Sequence, residues 1–442
     1  MILQQLAIFL IKTVWTIIHF DSMRFILVTL FFFCSFLGNS TQLLVPMDES
    51  QTNHLKAYGI AYWTLENNVT IEWLLNYRGG SFLMPHLKSL EEELIIRGVR
   101  YEVLAEGQVN QIRSQIANPE VNMEIVQLEK APKIAVYTPP NKQPWDDAVT
   151  LVLEYAEIKY DKIYDSAIVM GMLPKYDWLH LHHEDFTGQY GKFYSSARNQ
   201  SWYQEQIAVS EREAKMLGFK KVSELKLAVA KNLKNFVIGG GFLFTMCSGT
   251  DSFDIGLSAE GVDICESVFD GDGSDPRAQE KLDYSKTFAF KDFHLIKDPM
   301  VYEYSDIDAS DLRVQRIITE PMDQFTLFDF SAKWDIVPTM LTQCHVDVVK
   351  GFMGQTTDFR KEFIKSNVLI LGENKAAGTA RYLHGELGQG TWTFYGGHDP
   401  EDYQHFVGDP TTDLNLHPNS PGYRLILNNI LFPAAKKKKR KT

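Results

Sequence analysis

From residue 134 onward the chain repeats one pattern: a short apolar run, a punctuated turn, then a longer stretch with helical spacing. IAVY (134–137) ends at Pro139 and Pro140, and DDAVTLVLEYAEI comes next, with Asp146 and Asp147 where carboxylates suit the positive end of a helix. DWLHL (177–181) is the next strand, and residues 204–235 are mostly helical. GGFLFTM is then a buried strand that runs straight into Cys247, ahead of the helix begun by SFDIGL. Strands alternating with helices predict an α/β fold with a mostly parallel sheet covered on both faces.

Other segments are read by the same signals. A small α+β unit is expected over 54–128, where AYGIAYWTLENNVTIEWLL suggests a hairpin turning at Glu66-Asn67-Asn68. SLEEELIIRG would be a helix ended by Gly98, with strands at 101–104 and 123–128 around a helix at 108–116. The main domain spans 132–433, with a β-rich insertion at about 270–365 containing FTLFDFSAKW and VDVVKGFMG. NVLILG, TARYLHG and TWTFYGG resume the strands, and PGYRLILNNILF closes the chain as a helix.

The first 40 residues differ in kind. Met23 as the true start, then Arg24, an apolar run from Phe25 to Leu37, and Gly38 and Ser40, has the order of a secretory signal. The two apolar runs taken together would instead make a membrane anchor. Export is therefore expected, and without Cys34 it leaves Cys247, Cys265 and Cys344, an odd number in an oxidising compartment. A net charge of -12, despite the lysine-rich tail at 434–442, argues against nucleic acid as a partner. A small-molecule substrate is expected, with membrane contact only through the N-terminal segment or the tail.

In an open α/β sheet, functional groups gather beyond the carboxyl ends of the strands. DWLHL leads into His182, His183, Glu184 and Asp185; FLFTM leads into Cys247; TWTFYGG leads into His398, Asp399 and Glu401. A cysteine on a sharp strand-to-helix turn can act as a nucleophile, with the Ser248 N–H holding an oxyanion and Gly249 permitting close approach. His398 would take the proton, oriented by Glu401 or Asp399. The alternative is a buried space-filling cysteine and a histidine that only caps or hydrogen-bonds.

GTWTFYGGHDPEDYQH and the Cys247 turn resemble the class I glutamine amidotransferase-like superfamily, and the first is similar to its ThuA-like branch. This resemblance covers about residues 132–433 and implies a flavodoxin-like doubly wound sheet. Thr245-Met246-Cys247-Ser248-Gly249 keeps the second glycine of the family's G-x-C-x-G elbow, while Pro400 puts Glu401 three residues after His398, where the family has two. HLKAYGIAYW, LHLHHEDFTGQYG and CESVFDGDG also resemble exported bacterial proteins labelled asparagine synthetase B. Ser248-Gly249-Thr250-Asp251-Ser252 is one residue short of the loop in enzymes of that name.

These resemblances imply a cysteine hydrolase or amidotransferase acting on a carboxamide or other acyl group, with His182, His183, Glu184 and Asp185 near the substrate and no cofactor. A non-covalent carbohydrate- or ligand-binding module, stacking Trp178, Phe186 and Tyr190 on its ligand, is the alternative. Two metal readings stand beside these: His180, His182 and His183 with Glu184 and Asp185 at one strand end, and Asp270, Asp272 and Asp275 as a calcium turn. The favoured expectation holds no metal.

Overall fold

The computed structural model describes residues 41–309, 323–351, 356–402 and 408–435. The expected signal segment at 1–40 and all but the first two residues of the basic tail lie outside them. Among the described residues no helix is long and apolar enough to cross a membrane.

Two sheets organise the molecule. The first is antiparallel, built from β1 (Gln42–Val45), β2 (Ile71–Leu75), β3 (Ser81–Pro85), β4 (Glu102–Leu104) and β5 (Glu124–Leu128) in the order β4-β1-β3-β2-β5. With it go helices α1 (His54–Glu66), α2 (Lys88–Ile96) and α3 (Glu106–Ala117).

α1 corrects the expected hairpin. The arm read as a strand is a helix, started by the Asn53 side chain accepting the Lys56 N–H at 2.9 Å. Nearly every face of α1 is buried, so neither a helical nor a strand period shows in its sequence, and its aromatics mimic strand composition. Gly59 lets it pack against the chain at Ala156, where an added Cβ would lie 1.9 Å from the carbonyl oxygen.

The second sheet has nine strands: β6 (Ile134–Tyr137), β7 (Asp161–Ile163), β8 (Trp178–Leu181), β9 (Phe242–Met246), β10 (Gln324–Leu327), β11 (Val348–Lys350), β12 (Leu369–Asn374), β13 (Thr379–Leu387) and β14 (Gly390–Tyr395). Their order is β11-β10-β12-β13-β14-β9-β8-β6-β7. Pairing is parallel from β7 through β14 and antiparallel from β14 to β11. The fold is α/β, but this sheet is mixed where a mostly parallel one was expected. The reason is local: only Gly388 and Gln389 separate β13 from β14, and so short a link permits a hairpin and no crossover. β10 and β11, from the segment read as an insertion, simply extend this edge.

Helices cover both faces of the parallel half. α4 (Ala148–Tyr155) lies on one face, α5 (Ser201–Met216) and α6 (Val222–Ile238) on the other, with α7 (Ser248–Ser258) and α8 (Pro421–Leu431) later in the chain. Val136, Phe244 and Tyr395 share a core with α4, α8, α1 and the first sheet. Leu179, Leu181, Leu243 and Phe394 point the other way, onto α6 and α7. At roughly 1.5–3 kcal/mol for each large apolar side chain buried, these two cores hold the strand ends in place.

Candidate functional site at the strand ends

β8, β9 and β14 are adjacent and parallel, so the residues just beyond them emerge side by side at one edge. Cys247 comes directly after β9 with φ 50° and ψ -143°, a conformation sparsely populated by residues with a Cβ. It is held by its N–H, which donates to the Gly397 carbonyl at 3.0 Å, and by Thr250, whose hydroxyl donates to the Cys247 carbonyl at 2.7 Å. Two residues on, the Gly249 N–H donates to the His182 carbonyl at 2.8 Å; a Cβ there would come within 2.6 Å of the same oxygen. The expected turn and the close approach at Gly249 are thus both present, and they tie β8, β9 and β14 together.

Cys247 is only 3% exposed. Burial pushes it far above the ordinary thiol range; the bonds to Ser248 oppose this, while nearby Asp251 and Asp308 add to it. The resting group is therefore a neutral thiol. Tyr302 and Tyr304, from the segment before β10, lie within electrostatic reach of the sulfur. Among the described residues Cys247, Cys265 and Cys344 form no disulfide.

The histidines form the denser group. The ring centroid of His398 lies 4.6 Å from that of His182 and 4.2 Å from that of His183, and the last two stack at 3.8 Å. His182 and His398 are buried and His183 is half-buried. Alternation along β8 puts His180 and His182 on the face covered by α4, whose N-terminus is capped by Asp147. One Asp147 oxygen caps α4 by accepting the Thr150 N–H at 2.8 Å. The other lies 3.3 Å from His180 Nε2 and 3.2 Å from His182 Nδ1. Burial would raise the Asp147 carboxyl, but the two imidazoles outweigh it and hold it well below the usual range. Sequence reading identifies Asp147 only as a helix-start acid, since its second role needs β8 beside it.

The remaining site candidates divide between loop-shaping and pairing roles. Asp185 accepts from the Thr187 and Gly191 N–H groups at 2.7 and 3.1 Å and so shapes its own loop. Glu184 is pushed up to about 8 by burial, against the pull of Lys226. Asp399 accepts from Tyr423 and from Thr412, which ties the loop after β14 to α8. The Glu401 carboxylate lies 3.5 Å from His417 Nδ1. In the acidic turn, Lys221 Nζ sits among Asp263, Asp270 and Asp272, and Lys281 pairs with Asp275, so side-chain ammonium groups stand where the sequence suggested calcium.

A cavity of about 980 Å³ opens beside these strand ends. Its walls include Trp145, Asp147, His182, His183, Glu184 and Lys226; Cys247, His398 and Glu401 are not among them. Of the three aromatics expected to stack on a ligand, Tyr190 lines it, whereas Trp178 and Phe186 are core residues. Trp145, which sequence reading passes over, stacks on Phe193 and lies 5.1 Å from the His183 ring centroid. Lys226, also passed over, pairs with Asp165 at 3.0 Å and donates to Tyr137 and Tyr164 at the cavity floor.

No family model matches the chain, and no curated protein does. Among solved structures it is similar to two cytoplasmic proteins of Salmonella typhimurium, STM3548 (10% identity, TM-score 0.33) and STM1381 from strain LT2 (11% identity, TM-score 0.30). Each match covers 69% of this chain and 100% of the other. A β-galactosidase from Bacillus circulans sp. alkalophilus matches at 11% identity and TM-score 0.23, over 66% of this chain and 32% of the enzyme. Likenesses this distant carry no functional argument.

Proposed function

We propose that this chain is an exported enzyme of the class I glutamine amidotransferase-like, flavodoxin-like type that hydrolyses or transfers a carboxamide or other acyl group. The observation that carries the proposal is the Cys247 backbone, whose φ of 50° is the kind of strain that persists where surrounding structure enforces it for function. Because the thiol is neutral at rest, its attack must be concerted with proton loss, as for a hydroxyl nucleophile. Sulfur adds to the carbonyl carbon, the proton passes to His398, and the amine or alcohol leaves with that proton. Water then releases the acid from the thioester. The N–H of Ser248, at the start of α7, is the oxyanion donor. Glu401 or Asp399 would orient the His398 ring; the Glu401 carboxylate also lies 3.5 Å from His417 Nδ1.

The test is acylation of the native protein by a p-nitrophenyl ester, with the adduct located by mass spectrometry. An adduct on Cys247, absent in Cys247→Ser and formed roughly 100-fold more slowly in His398→Ala, is the expected result. An adduct that forms only after unfolding would overturn the thiol mechanism. The second reading, non-covalent binding of a small ligand of the ThuA-like carbohydrate class, is favoured by one observation: the cavity walls hold Trp145 and Tyr190 but not Cys247. Thermal stabilisation by a sugar without any acyl adduct would select it.

A further inference from the structure

We infer that His182, His183 and His398 form a binding site for one divalent transition-metal ion, such as Zn²⁺, opening onto the 980 Å³ cavity. The inference goes beyond the thiol mechanism and does not rest on it; a metal-ligated His398 has no lone pair left for the Cys247 proton, so that mechanism belongs to the metal-free chain. One ring nitrogen from each histidine lies within 4.8 Å of the others. Three imidazoles at the usual ~2.0–2.1 Å from a tetrahedral zinc would stand about 3.4 Å apart, so modest ring rotations close the site. Three neutral nitrogen ligands suit zinc, cobalt or copper better than calcium or magnesium.

The surroundings are those a metal site requires. His182 Nδ1 faces the Asp147 carboxylate, which assigns the ligand role to Nε2. His183 Nε2 donates to the Asp146 carbonyl at 3.0 Å, which assigns it to Nδ1. His180 stands behind this group, with Nδ1 donating to the Phe244 carbonyl and Nε2 turned to the same Asp147 oxygen. The Asp147 carboxylate thus orients one ligand and supplies negative charge beside the cation. His182 and His183 both border the cavity and His398 is buried behind them, so the fourth position faces space that a small molecule can enter, as in catalytic more than structural sites. The ligand class at that position is a substrate oxygen, from a carboxylate, carbonyl or hydroxyl group, or water.

The experiment uses the full chain, stripped with a chelator and dialysed, then titrated with Zn²⁺ by calorimetry and with Co²⁺ by its visible absorption. The expected result is one ion per chain with tetrahedral cobalt colour, and affinity reduced roughly 100-fold or more in both His183→Gln and His398→Asn. His417→Ala should bind as the parent does. His183 is half-buried, so its variant tests the site even if His398→Asn is misfolded by circular dichroism. Absence of a stoichiometric ion, or parent-like affinity in His183→Gln, would overturn the inference. Ester acylation of the same stripped samples separates the two proposals: metal binding without a Cys247 adduct removes the thiol mechanism alone, and an adduct without metal binding removes this one.

Discussion

Among the described residues two histidine pairs stack, and their neighbours differ in sign. His182 and His183 stack at 3.8 Å beside the Asp147 carboxylate. His54 and His345 stack at 4.3 Å beside Arg424, whose guanidinium donates to the Met47 and Gly79 carbonyls and lies 3.2 Å from His345 Nδ1. Burial first, and the Arg424 charge second, push His54 down to about 4 and His345 to about 3. Near this fixed cation both imidazoles stay neutral: His345 Nδ1 accepts from the Arg424 guanidinium, and His54 Nε2 donates to the Met47 carbonyl at 3.0 Å. Near a carboxylate, with a third histidine and a cavity at hand, the same ring becomes a candidate ligand. The residue type is shared; the charge beside it decides the role.

Removing the cation should have the largest effect. Arg424→Met strips charge-assisted donors from the buried Met47 carbonyl and the half-buried Gly79 carbonyl, and a loss of about 3 kcal/mol is expected in chemical denaturation. Parent-like stability would mean that Arg424 does not hold the His54 pair in place. Asp147→Asn probes the opposite neighbour: cobalt affinity should fall about 10- to 100-fold while the ester adduct on Cys247 is unchanged. Unaltered cobalt binding would remove the carboxylate from the comparison.

A smaller effect is expected on acidification. The folded His345 resists protonation until about pH 3, whereas the unfolded ring binds a proton near its ordinary 6.5. Its contribution is therefore complete above pH 6.5 and is lost as the pH falls from there toward 3. Allowing for its partial exposure, the loss should be on the order of 1–2 kcal/mol, and His345→Gln should flatten that part of the pH–stability curve. The smallest change is expected at the thiol, where Tyr302→Ala should raise the rate of Cys247 alkylation by iodoacetamide about two- to fivefold without changing cobalt affinity. An unchanged or slower rate would show that the Tyr302 side chain does not limit access to the sulfur.

Much of this architecture is legible in the sequence because it is local. The runs IAVY, WLHL, FLFTM and TWTFY are short and apolar, bounded by turn residues, and each is a strand. The residues after each run are readable as candidate site groups because parallel strands end on one edge. α1 escapes the same reading because burial on nearly every face erases its period. Asp147 is half-legible: a carboxylate at a helix start is a local signal, whereas its place beside His180 and His182 is set by β6 and β8 pairing. Lys221 among three carboxylates is equally invisible in sequence, since it lies 49 residues from Asp270.

Sequence alone determined the α/β class, the strand ends from which reactive residues emerge, and the sharp turn at Cys247. Periodicity, turn chemistry and the two-residue link before β14 act over a few bonds and need no partner. Tertiary structure decided that β14 pairs with β9, that Cys247 is buried, that Trp145 and not Trp178 borders the cavity, and that His182, His183 and His398 converge. Each of these depends on which groups burial and strand pairing bring within a few ångströms, and that distance is set by the packed core rather than by separation along the chain.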